Sequence, residues 1–325
     1  MSLTAGNSTP QKTSLSEEQL DRVLEHIDYP RSRHAADPLR RLHQLMLHHI
    51  ARVPFENVGI HYNPTHQLSL DLDDLFDKIV VRSKGGYCVE LNALFAAVLR
   101  GLGYTVLTVG GRVRAGTPNY TGWSHMCLIV TVDGAKYVAD VGYGGDAAMR
   151  PMPLVSGAEF PVLAPRRGRL EYRSIDLHSD PSQRLWVYST RDSPDDDPAV
   201  PWVEQYCFVE LEYLRPDYNQ INYYCSNHPD SFFMSHLLAA RALVEADDDT
   251  PGREGGDVRL VGVLTYWNDE VRRRSEGSTE RQVLERPSTE AERVAAFDKW
   301  FRIPLTEADR QSIFSTRLAL DKSPA

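Results

Sequence analysis

Arg82-Ser83-Lys84-Gly85-Gly86-Tyr87-Cys88-Val89-Glu90-Leu91-Asn92 leads from a Gly-Gly pair into the most periodic segment of the chain. Behind Cys88, the residues Leu91, Leu94, Phe95, Val98, Leu99 and Leu102 recur at helical spacing until Gly101 and Gly103 stop them, which predicts a helix that Cys88 opens. A thiol at a helix start meets unpaired backbone N–H groups and the positive end of the helix dipole, and both favour the thiolate. The plainer reading is a small buried hydrophobe, the commonest state of a cysteine on an apolar helix.

Upstream, Ser16 with Gln19 three residues on is a capping box, followed by Leu20, Val23, Leu24 and Ile27 on one helical face. A second helix is expected from about Pro38, carrying Leu39, Leu42, Met46 and Ile50, and a third over 73–81. Residues 1–13, rich in Ser, Thr, Gly and Gln, read as a disordered tail. The first 103 residues or so are thus expected to form a helical domain.

Downstream of Val106 the apolar period changes to two. Strands are expected at 106–109, 127–132 and 137–141, the last two joined by Asp133-Gly134, a dipeptide suited to a two-residue hairpin turn. Further strand-like runs at 170–172, 185–188 and 207–211 make 106–215 all-β, with 192–201 a solvated loop around Asp195-Asp196-Asp197. Beyond Asn222 the pattern is mixed: helices at 232–244 and 289–301, a charged loop at 245–257 and a strand at 258–266.

The hairpin carries a geometric consequence. With a two-residue turn, Val132 faces Ala135 and Cys127 faces Asp140, so His125 projects from the same face as Asp140 as its diagonal neighbour. Cys88, His125 and Asp140 then offer a nucleophile, a base and a carboxylate that orients the base. Taken singly, His125 also suits a satisfied strand residue and Asp140 a turn former.

Composition bounds the function. The chain has 325 residues, 42% apolar and 25% charged, with a formal net charge of −9, so its overall field favours neither nucleic acid nor an acidic membrane surface. No apolar run reaches the ~18 residues of a membrane span and no secretory leader is evident, which leads us to expect a soluble, cytoplasmic protein. Four cysteines without CxxC spacing argue against a disulfide framework. His43, His48 and His49 lack metal-ligand spacing, no metal site is expected, and Asp247-Asp248-Asp249 reads as a solvated loop.

The run Lys84 to Asn92, with Val53-Pro54-Phe55-Glu56-Asn57 upstream, Thr121-Gly122-Trp123-Ser124-His125 and Val138-Ala139-Asp140-Val141-Gly142 downstream, and Val261 to Tyr266 late in the chain, resembles the arylamine N-acetyltransferase family. The resemblance implies an α+β multidomain fold: a helical bundle (16–105, after a tail at 1–15), a β-barrel (106–220) and an α/β lid (221–325), with a cysteine-protease-like Cys-His-Asp triad. It makes Cys88 the acyl carrier, His125 the base and Asp140 its orienter. The reaction it implies is ping-pong, from acetyl-CoA or malonyl-CoA through an acyl-cysteine to an arylamine or arylhydrazine, with no permanently bound cofactor and no obligate protein partner. Gly122, Tyr224 and Ser231 match coenzyme-binding positions, and Phe55 and Tyr143 match the acceptor pocket. Lys84 stands where the family commonly has Arg. A malonyl carboxylate calls for a cation, for which Lys84, Arg112 and Arg114 are the candidates. The same triad also serves a thiol hydrolase or transglutaminase-like enzyme, and the same fold a catalytically silent binder.

Overall fold

In a computed structural model the chain is described over residues 13–65, 67–193, 197–247 and 257–321. The expected tail lies outside these residues up to position 12, as do 194–196 and 248–256 of the two expected acidic loops. Asp192 and Ser193, by contrast, are not solvated loop: Asp192 ends a strand and Ser193 is buried.

Five α-helices and one short strand come first among the described residues: α1 (Glu17–His26), α2 (Pro38–Arg52), β1 (Phe55–Glu56), α3 (Val58–His61), α4 (Leu72–Phe76), which widens into a π turn at Asp77–Val81, and α5 (Cys88–Gly101). Ser16 caps α1 as expected, its hydroxyl and the Gln19 amide each accepting the other residue's backbone N–H at 3.1 Å. The helix α5 is the centre of the core, with Leu91, Leu94, Phe95, Val98 and Leu99 fully buried. At its start the Glu90 carboxylate accepts the Tyr87 N–H at 3.1 Å, and its other oxygen accepts from Lys78 Nζ at 2.7 Å.

Eight antiparallel strands follow: β2 (Thr105–Val113), β3 (His125–Val132), β4 (Ala135–Ala139), β5 (Met152–Pro153), β6 (Ala158–Pro161), β7 (Arg166–Arg173), β8 (Leu185–Asp192) and β9 (Val203–Glu212). They form one sheet in the order β5-β4-β3-β2-β9-β8-β7-β6. Met152 and Phe160, from its two opposite edges, share a core with Val109, Ile129, Leu170, Tyr188 and Phe208. The sheet therefore curls back on itself into a nearly closed barrel.

The remaining elements are α6 (Arg215–Asn227), α7 (Phe232–Ser235), β10 (Ala239–Ala246), β11 (Val258–Trp267), β12 (Glu270–Ser275), β13 (Gln282–Glu285), α8 (Glu290–Ala296), widening into a π turn at Phe297–Phe301, and α9 (Glu307–Ser312). A five-stranded sheet runs β1-β10-β11-β12-β13. Its edge strand β1 belongs to the otherwise helical first hundred residues, with Phe55 paired to Ala240.

The helix expected at 232–244 is corrected: it ends at Ser235, and Ala239–Ala246 is a strand. Its Ala, Leu and Arg residues favour helix by only a few tenths of a kcal/mol each. That preference is outweighed by backbone pairing on both sides, to β1 and to β11, and by burial of Ala239, Ala240 and Ala242. The helix α6 is one that the apolar period does not mark; Pro216 in its first turn and Asp217, whose carboxylate accepts the Leu214 N–H at 2.7 Å, are its start signals. No helix among the described residues is long and apolar enough to cross a membrane.

Candidate active site

The β3–β4 hairpin has the register its sequence predicts, Val132 opposite Ala135 and Leu128 opposite Ala139. Asp133 and Gly134 turn it with φ of +49° and +80°, the left-handed pair that a type I′ turn requires. Asp140 lies one residue past β4, and its Oδ2 is 2.7 Å from His125 Nε2. The nucleophile candidate arrives from α5, whose first residue is Cys88. The Cys88 sulfur lies 3.6 Å from the carbonyl oxygen of Ser124, the residue before His125. All three side chains are buried, Cys88 at 3% exposure, His125 at 1% and Asp140 at 2%.

Two further residues hold this arrangement. Asn92, one turn beyond Cys88, donates from Nδ2 to Asp140 Oδ1 at 3.0 Å and to the Met126 carbonyl at 2.7 Å, while its Oδ1 accepts the Val141 N–H at 3.1 Å. One amide thus ties α5 to β3 and to the segment that follows β4. The Gly142 N–H completes the Asp140 carboxylate at 2.8 Å. A Cβ on Gly142 would lie 2.7 Å from the Cys88 Cα, so glycine is what allows the loop to close over the start of α5. Asn92 sits four residues from Cys88 in the sequence, but nothing local marks its partners, 34 and 48 residues away.

The electrostatics follow from burial and proximity. Burial pushes the Cys88 thiol up, while the nearby His125 and the Met126 N–H pull it down. On His125, burial opposes the charged form, yet Asp140 carries the imidazole up to about 10. Asp140 is held below the usual carboxylate value despite burial, by His125 first and then by Asn92 and Gly142. Burial thus outweighs its neighbours at the Cys88 thiol, which stays above its ordinary value, while Asp140 favours a proton on the His125 ring. The thiol is not the freely ionised group that a helix start alone suggests. For the other thiols burial dominates: it pushes Cys207 and Cys225 up to about 12 and Cys127 well above its ordinary value.

Of the acceptor-pocket candidates, Tyr143 packs edge-on against His125 with ring centres 5.4 Å apart and donates its hydroxyl to the Gln205 carbonyl at 2.8 Å. Phe55 pairs by backbone with Gly86, two residues before Cys88, and its ring lies 6.4 Å from Phe233. The coenzyme candidates divide. Tyr224, half exposed, lines a surface groove of about 460 Å³ with Trp123, Tyr213 and Ile221. Gly122 adjoins Trp123, with open space where a Cβ would stand. Ser231 is buried and donates its hydroxyl to the Cys225 carbonyl at 2.7 Å.

None of the three candidate cations is placed against Cys88. Lys84 Nζ is 2.7 Å from Asp309 at the start of α9, and Arg114 holds Glu204 at 2.5 Å. Arg112 lies over the Trp123 ring at 4.1 Å, beside the groove. Among the described residues no three His, Cys, Asp or Glu side chains come together to hold a metal ion.

A family model described as N-acetyltransferase matches residues 38–248. The N-malonyltransferase FDB2 of Gibberella moniliformis is 33% identical over 306 residues, spanning 90% of this chain and 85% of its own. The arylamine N-acetyltransferase of Escherichia coli (strain K12) is 33% identical over 208 residues, 64% of this chain and 66% of its own. Among solved structures, Mycobacterium marinum arylamine N-acetyltransferase in complex with CoA superposes with a TM-score of 0.68 at 28% identity, over 90% of this chain and 96% of that one.

Proposed function

The chain belongs to the arylamine N-acetyltransferase family, and on that premise we propose that it transfers an acyl group from acyl-CoA, malonyl-CoA foremost, through Cys88 to the nitrogen of an arylamine or arylhydrazine. The single observation that carries the mechanism is the His125 to Asp140 contact of 2.7 Å beside a thiol at a helix start. The preference for malonyl-CoA is supported by the N-malonyltransferase that aligns over 90% of the chain.

In the first half-reaction the Cys88 sulfur attacks the thioester carbonyl while its proton resides on His125. The tetrahedral centre collapses, the bond to the coenzyme sulfur breaks, and His125 returns the proton to that sulfur. Two thiolates of similar basicity exchange the acyl group, so this step is reversible. In the second, the amine nitrogen attacks the acyl-Cys88 carbonyl, His125 takes the nitrogen's proton, and the Cys88 sulfur leaves. Asp140, fixed by Asn92 and Gly142, holds the imidazole in the required tautomer throughout. The faces of Tyr143 and Phe55 suit a flat aromatic acceptor. The groove beside Trp123 and Tyr224, with Gly122 at its side, suits the coenzyme arm; Ser231 supports the wall from behind, through the Cys225 backbone.

Intact-mass spectrometry of the full chain mixed separately with malonyl-CoA and acetyl-CoA tests this. We expect a malonyl adduct that an arylamine discharges and that Cys88→Ala abolishes. An acetyl adduct without a malonyl one would overturn the donor; no adduct with either would overturn the acyl-cysteine mechanism.

A further inference from the structure

Cys225 has no role in the chemistry above, yet its sulfur meets the same backbone carbonyl as that of Cys88. Its sulfur lies 3.8 Å from the Ser124 carbonyl oxygen, the same atom that the Cys88 sulfur approaches at 3.6 Å. The contact is built from both sides. Tyr87, next to Cys88, donates its hydroxyl to Asn222 Oδ1 at 2.5 Å, and Asn222 precedes Cys225 by three residues on α6. Residues three apart share a helix face, so the face of α6 that holds Tyr87 also presents Cys225 to the start of α5. The Ser231 hydroxyl, bonded to the Cys225 carbonyl, fixes the far end of that turn. Cys127 and Cys207 lie elsewhere, in the barrel core and in a separate cluster with Val187.

We propose that Cys88 and Cys225 form a peroxide-oxidisable pair, closing to a disulfide that shields the nucleophile from irreversible oxidation; this rests on the reading of Cys88 as the reactive thiol. In the first step the Cys88 thiolate attacks one oxygen of hydrogen peroxide. The S–O bond forms, the O–O bond breaks, and the departing hydroxide takes the His125 proton as water. Neutral His125 then accepts the Cys225 proton as that sulfur attacks the sulfenic sulfur. The S–S bond forms, the S–O bond breaks, and hydroxide leaves with the proton as a second water. Two thiols are oxidised and one peroxide is reduced to two waters. Without Cys225 the sulfenic acid meets further peroxide and passes to the sulfinic acid, which thiols do not reverse.

The test treats the full chain with a small excess of hydrogen peroxide, digests it without reduction, and maps cross-linked peptides by mass spectrometry. We expect a Cys88–Cys225 peptide pair, Cys127 and Cys207 still reduced, and recovery of most of the lost activity on adding dithiothreitol. Cys225→Ala should instead accumulate Cys88 sulfinic acid and recover less than a tenth of its lost activity. Cys225→Ser serves as the second variant, and the cross-link map of the unaltered chain needs neither. Absence of the cross-link, or equal recovery in chain and variants, overturns the proposal. A chain that takes up an acyl group on Cys88 but forms no cross-link breaks this inference alone; a chain that takes up no acyl group breaks the functional reading.

Discussion

Two buried ionic clusters, one at the junction of α5 with the barrel and one beneath the five-stranded sheet, are made of similar parts and differ in one respect. In the second, the Arg293 guanidinium is 1% exposed and donates to Glu290, to the Tyr62 hydroxyl at 2.8 Å and to the Leu318 carbonyl at 2.8 Å. Glu290 in turn accepts the Tyr62 hydroxyl at 2.6 Å and the Leu320 N–H at 2.7 Å. Each of these charges is closed off by protein partners. In the first, Asp140 is equally saturated by His125, Asn92 and Gly142, but the cluster stops at the imidazole, and the Cys88 sulfur beyond it has only a 3.6 Å contact with the Ser124 carbonyl oxygen. A saturated cluster ties segments together; one that stops beside a thiol, as at Cys88, leaves that sulfur available for the acyl transfer proposed above.

The largest separation of the two comes from Asp140→Asn, which keeps the shape but removes the charge that holds His125. We expect the rate of acyl transfer to fall about 10³–10⁴-fold with near-native circular dichroism, as carboxylate loss does in other triads. A fall under tenfold in single-turnover assays would remove Asp140 from the chemistry. Glu290→Gln should do the reverse. It leaves a buried guanidinium short of its carboxylate and costs roughly 3–5 kcal/mol in urea unfolding, while activity per folded molecule changes less than about threefold. Equal losses of stability and rate would erase the contrast.

The smallest effect is a pH slope. His125 is raised to about 10 from an ordinary 6.5, so its charged pairing with Asp140 contributes stability in full below about 6.5. That contribution declines above 6.5 and is lost as pH rises through about 10, because the unfolded chain has released this proton and the folded one has not. Unfolding free energy measured from pH 7 to 10.5 should therefore fall more steeply in the unaltered chain than in His125→Phe. Parallel curves would show that the imidazole is not held charged.

Local chemistry explains which features are legible in the sequence. Ser16 with Gln19 is complete within four residues, and Asp133-Gly134 sets a register that any two-residue turn would impose, so the strand period by itself brings His125 and Asp140 to one face. The strand at Ala239–Ala246 is not legible, because its helix-favouring residues are overruled by partners as distant as Phe55. The role of Asn92 and the meeting of Cys88 with Cys225 at one carbonyl are hidden for the same reason, Asp140 lying 48 residues from Asn92 and Cys225 lying 101 residues from Ser124.

From its sequence alone, this protein's helix starts, its hairpin register and the shared face of His125 and Asp140 can be read, since each rests on contacts within a few residues or on a fixed strand period. The tertiary structure alone decides which side chains support them, which second thiol meets the carbonyl beside Cys88, and how burial opposes the pull of a neighbouring carboxylate on His125. Those depend on distances between segments remote in the chain and on the exclusion of water, and neither is a property of any local stretch of residues.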